Sequence, residues 1–133
     1  GLIDALEKIQ IRFIRVAGCR IGFRYLDVPI PDFRDIFHLL QLVTHRKVFD
    51  SVFLMKILNG IMDCPELLRE VNLRVPGSTR SCDIFERRHY STTYHQLSTL
   101  PRLLSLGNEV GASINFFSPN VASFRSQVLD LLK

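Results

Sequence analysis

Apolar residues along this chain recur mostly at steps of three and four, the period of a helix with one buried face. Over residues 3–17 the stripe is Ile3, Leu6, Ile9, Phe13 and Val16. It predicts an amphipathic helix that turns this stripe to the core. Ile11 and Ile14 lie outside it and are available for a second apolar contact. Gly18 and Gly22 predict the helix end. Residues 23–30 read as a connector. Pro31 or Asp32 then opens a second helix, about 32–42, with Phe33, Ile36, Phe37 and Leu40 on its apolar face. Thr44 suits the N-cap of a third helix, about 45–59. Its Val48, Val52, Met55, Ile57 and Leu58 spread around the axis, which predicts burial on most sides. Asn59-Gly60 is the stop signal. Asp63-Cys64-Pro65 opens a short fourth helix, with Asp63 as cap, Pro65 in the first turn and Glu66 at the positive end of the dipole.

The pattern changes over residues 72–97. Leu73 and Val75 alternate, Pro76-Gly77-Ser78 is a turn signal, and Ile84 and Phe85 follow, which predicts a loop or small hairpin. Helical period returns with Leu100, Leu103, Leu104 and Val110 (about 99–112), then Val121, Phe124, Val128, Leu131 and Leu132 (about 119–132). The expected fold is mainly α, with about five or six helices around a single core. Residues 1–133 read as one helical domain.

Composition supports a packed domain. A chain of 133 residues, 47% hydrophobic and 23% charged, can hold a real core and is not patterned for disorder or collagen. No apolar run approaches about 18 residues, so no membrane-spanning helix is expected. The first residues do not read as a secretory signal. The chain starts without Met and enters a helix at once, so a piece of a longer protein is expected. Three cysteines, Cys19, Cys64 and Cys82, show no C-x-x-C spacing. They point to an intracellular location, nuclear or cytoplasmic, with thiols in apolar or half-buried places.

Charge adds a candidate partner. There are 17 basic against 13 acidic residues, net +4, and the only lysines are Lys8, Lys47, Lys56 and Lys133. Arginine's planar fork suits phosphate, so this balance permits a nucleic-acid partner. Three basic groups stand out. Lys8, Arg12 and Arg15 share one helix stripe, with Arg20 and Arg24 beyond. His45-Arg46-Lys47 falls in the expected first turn of the third helix, where cations oppose the dipole and invite an anion. Arg87-Arg88-His89-Tyr90 mixes cations with an aromatic ring, a combination suited to single-stranded nucleic acid. No catalytic constellation is visible. The histidines show no metal-binding pairing, and neither a phosphate-binding Gly-rich loop nor G-x-S-x-G occurs. No catalytic residue, cofactor or metal site is expected in this chain.

The order of several segments resembles a known family. LEKIQIRFIR (6–15) looks like the L-E-x-x-Q-x-x-F-x-R segment just beyond the polymerase core of non-LTR retrotransposon reverse transcriptases, especially jockey-like elements. LLQLVTHRKVFDSVFLMKILNGIMDCPELLREVNLRVP (39–76) is similar to the family's run of paired basic residues, an apolar helix ending K-I-L-N-G, then D-C-P-x-L-L and a V-P segment. YHQLSTLPRLLSLGN (94–108) and SFRSQVLDLL resemble later stretches. The resemblance implies the C-terminal, thumb-end region of an RNA-directed DNA polymerase. The parent would use Mg²⁺ held by an aspartate pair in Y/F-x-D-D, and that motif is absent here. This piece would instead pack on the missing polymerase core and help hold template RNA and primer DNA. The family's paired arginines appear here as Arg46-Lys47, which loses one bidentate fork. The candidate nucleic-acid residues are therefore Lys8, Arg12, Arg15, Arg46, Lys47, Arg87, Arg88 and Tyr90, with no membrane partner. The alternative is a helical protein–protein interaction module, or an inactive remnant of such an element.

Overall fold

The computed structural model describes residues 1–75 and 83–133. Among them the chain is mainly helical: α1 (Leu2–Ile21), α2 (Ile30–Ile36), α3 (Leu42–Leu58), α4 (Pro65–Glu70), α5 (Thr93–Gln96), α6 (Thr99–Gly111) and α7 (Val121–Leu132). No helix is long and apolar enough to cross a membrane. The chain divides into two compact units, Gly1–Arg46 and Lys47–Lys133.

In the first unit, α1 packs on α2, but not through the expected stripe. Ile3, Leu6, Ile9, Phe13 and Val16 are all exposed, while Ile14 is fully buried with Val28 and Phe33. The side of α1 that faces its own unit carries Glu7, Gln10, Ile14 and Gly18. Polar bonds and close approach choose it. Arg34 of α2 donates to Glu7 (3.1 Å) and to Gln10 Oε1 (3.3 Å), and Gln10 donates to the Leu40 carbonyl (2.9 Å). Gly18 does not end the helix. A Cβ there would lie 2.7 Å from both Val28 methyls, so glycine lets the following segment close against α1. The helix ends at Gly22, left-handed at φ 112°, as a C-terminal glycine should.

Two further expectations are corrected here. The second helix stops at Ile36, not near 42, because His38 turns left-handed (φ 51°) while the Leu39 N–H bonds back to the Arg34 carbonyl at 2.8 Å. Phe33 is buried, but Ile36 and Phe37 are exposed. The third helix begins at Leu42, so Thr44 lies inside it and is not its cap. The Val43 N–H instead donates to Glu7 Oε1 (3.3 Å). This carboxylate, distant in sequence, satisfies an orphan donor at the helix start and opposes its positive end.

The second unit has the larger core. Leu54, Met55, Phe85, Val110, Phe116, Phe124 and Val128 form its buried centre. As expected, α3 is well buried, through Val48, Ser51, Leu54, Met55 and Ile57. Gly60, left-handed at φ 67°, follows its last turn. Cys64, not Asp63, occupies the N-cap of α4, with no side-chain capping bond, and Pro65 is in the first turn. Among the described residues, the segment expected as a loop or small hairpin makes one antiparallel bridge, Leu73 with Phe85. Arg74 N–H donates to the Ile84 carbonyl (2.8 Å) and Glu86 N–H to the Asn72 carbonyl (2.9 Å). The Pro76-Gly77-Ser78 turn lies outside the described residues. The short α5 had no clear periodic signal; it is capped by the Thr92 hydroxyl, which accepts from the His95 N–H.

Candidate nucleic-acid interface

The first unit presents the basic edge of α1. At about 100° per residue, Lys8, Arg12 and Arg15 fall on one stripe. Lys8 and Arg12 are exposed and make no ion pair among the described residues. Arg15 is half-buried, and its guanidinium carbon lies 5.2 Å from the centre of the Tyr25 ring. Such a contact holds the cation by its attraction to the ring face. Its Nε is buried without a hydrogen-bond partner. Arg46 is exposed in α3 and also makes no ion pair among the described residues. Because α3 starts at Leu42, the cations expected in its first turn begin only at that turn's end. They oppose the helix dipole less than the sequence alone implied.

The candidates of the second unit are mostly committed to acids. Lys47 sits 3.6 Å from Glu109. Arg87 grips Asp83 through two bonds, Nε to Oδ2 at 2.7 Å and Nη2 to Oδ1 at 3.1 Å. Arg88 reaches Glu70 at 3.4 Å. Arg87, Arg88 and Tyr90 do come together, on the wall of an open pocket of about 330 Å³ that also includes Gln96 and Asn108. Tyr90 is half-buried, and its carbonyl accepts from Gln96 Nε2 at 3.4 Å. An acid beside each cation lowers the local positive potential. A phosphate arriving there must compete with a carboxylate already in place.

The family-like segments do structural work that charge counting missed. Arg102, in the Leu-rich stretch, pairs with Asp50 of α3 at 3.0 Å in a partly buried contact. Asn59, at the end of K-I-L-N, donates to the Met55 carbonyl (2.8 Å) and to the Phe116 carbonyl (2.7 Å). Asn108, ending the later stretch, is buried. Its Oδ1 accepts from the Phe85 N–H (2.8 Å), and its Nδ2 donates to the Phe85 carbonyl (3.1 Å). The signal for these residues was an asparagine inside a helical apolar pattern, where a buried amide needs bonded partners.

Among the described residues no group of three His, Cys, Asp or Glu side chains converges on a metal-sized site. His95 Nδ1 lies 3.0 Å from the Thr92 hydroxyl. Cys19 is exposed, contrary to the expected apolar setting, and Cys64 is half-buried; Cys82 lies outside the described residues. Comparison with family models, with curated proteins and with solved structures found no match.

Proposed function

We propose that this chain is a non-catalytic C-terminal segment of a non-LTR retrotransposon RNA-directed DNA polymerase. It packs on the polymerase core and contacts template RNA and primer DNA without reading sequence. The observation that supports this best is the basic edge of α1, where Lys8 and Arg12 stand exposed, with no ion pair among the described residues, beside Arg15. A phosphate backbone needs accessible cations at helical spacing, and this edge supplies them. Arg46 adds a further accessible cation. Lys47, Arg87, Arg88 and Tyr90 are weaker contributors, because their charges are shared with acids or their ring is half-buried.

The test is fluorescence anisotropy of a labelled RNA–DNA hybrid across a salt series. Each phosphate contact contributes about −0.9 to the log–log salt slope. The triple variant Lys8→Gln, Arg12→Gln and Arg15→Gln should therefore flatten the slope by about 2 to 3, with an unchanged circular dichroism spectrum. Equal slopes for the triple variant and the parent chain would refute the assignment. A second reading, a helical protein-interaction module, is favoured by one observation, the exposed apolar stripe of α1.

A further inference from the structure

The exposed stripe of α1 has a regularity beyond amphipathicity. Leu2, Leu6, Ile9, Phe13 and Val16 follow one another at alternating steps of four and three, and Arg20 continues the register. That is a period of 3.5 residues, the spacing of a seam that packs along a second helix, knobs into holes. The seam is 45 to 79% exposed, whereas Ile14 on the other side of the helix is fully buried. From Leu2 to Arg20 it runs about 27 Å, long enough for two to three heptads. Its own unit cannot cover it. The core of that unit is Ile14, Val28 and Phe33 with Ile30 and Leu39 at the edge; Glu7, on the far side, ties α1 to Arg34 of α2 and to the Val43 N–H of α3, and Gln10, at the seam's edge, donates to the Leu40 carbonyl.

The charge around the seam selects the occupant. Arg12 flanks it and Arg20 enters it, both exposed, while Lys8 lies further round the same side of the helix. Among the described residues no acid of α1 borders it: Glu7 is turned away into its pair with Arg34, and Asp4 lies on the far side, paired with the N-terminal amine. We propose that this seam docks one amphipathic α-helix of another protein, with an apolar seam of its own and Asp or Glu on its flanks. This inference rests on the second reading above, a protein-interaction module, and not on the nucleic-acid assignment. A second copy of the chain fits poorly. Parallel pairing would set Arg20 against Arg20 inside the seam, and antiparallel pairing would bring the two Arg12 side chains near each other. A nucleic-acid backbone fits poorly as well, because it offers nothing apolar to Leu2, Ile9 and Phe13.

The probe is a fluorescein-labelled peptide of about three heptads, with Leu along its seam and Glu on both flanks; its control carries Lys on the flanks. The full chain should bind the Glu peptide at least about tenfold more tightly than the Lys peptide. Ile9→Gln with Phe13→Gln, which adds no charge beside Lys8 and Arg12, should abolish that binding while leaving the helical spectrum, the melting temperature and hybrid binding as they were. Equal binding of both peptides, binding of neither, or a dimer in sedimentation equilibrium that the double variant dissolves would each overturn the proposal. The two readings separate cleanly. Hybrid binding without peptide binding defeats this inference alone, and peptide binding without hybrid binding defeats the nucleic-acid assignment alone.

Discussion

Asn108 should be the most costly polar side chain to remove in the second unit. It is only 6% exposed, and its amide makes both hydrogen bonds that the Phe85 backbone needs, at 2.8 and 3.1 Å. Phe85 is fully buried, so water cannot replace either bond. Asn108→Ala strands a buried N–H and a buried C=O, each costing about 1–3 kcal/mol. We take about 2–4 kcal/mol in all, since part of the cavity can relax. Asn108→Leu separates hydrogen bonding from volume. It fills the space with apolar atoms but strands the same two groups, so it should cost nearly as much. Asn108→Asp keeps an acceptor for the N–H but sets a second oxygen against the Phe85 carbonyl, and should be at least as damaging as Ala. Urea unfolding followed by far-ultraviolet circular dichroism reads these costs as shifts in midpoint at constant slope. The exposed Ser126→Ala is the control. A loss below about 1 kcal/mol for Ala, or a gain for Leu, would show that the paired amide is not what holds this bridge.

Two further outcomes concern neighbouring contacts. Gly107→Ala should lower stability by about 1–2 kcal/mol despite alanine's better helix propensity; its Cβ would lie 2.6 Å from the Phe85 ring and 2.8 Å from a Leu54 methyl, and a variant melting above the parent would refute this packing. Asp50→Ala should cost about 1–3 kcal/mol, because it leaves the partly buried Arg102 guanidinium without its 3.0 Å partner, whereas Lys47→Ala, at an exposed 3.6 Å pair, should cost under about 1 kcal/mol; equal losses in the same urea assay would count against the distinction.

The helices themselves were legible from local pattern. A 3.6-residue period, a proline at a first turn and glycines at helix ends are properties of short stretches; α4, α6 and α7 follow them closely, and α3 does so except that it starts three residues early. The short extended pairing near Leu73 and Phe85 was also visible as alternation. What could not be read was which contact each side chain would make. The apolar stripe of α1 was expected inside and is outside, because the unit closes through Glu7, Gln10, Ile14 and Gly18. A mixed polar and small stripe carries no hydrophobic period, so its burial depends on Arg34, Leu40 and Val28 arriving from elsewhere in the chain.

The candidate site divides along the same line. The alignment of Lys8, Arg12 and Arg15 on one edge is helix geometry, and sequence spacing determines it. Whether a cation is accessible to a phosphate is decided by its neighbours in space. Lys47 meets Glu109, Arg88 meets Glu70 and Arg102 meets Asp50, over separations that no local pattern records. Sequence thus determines which residues share a helix face. Only the tertiary structure decides which faces are covered and which charges are neutralised, because burial and ion pairing are made by residues distant along the chain.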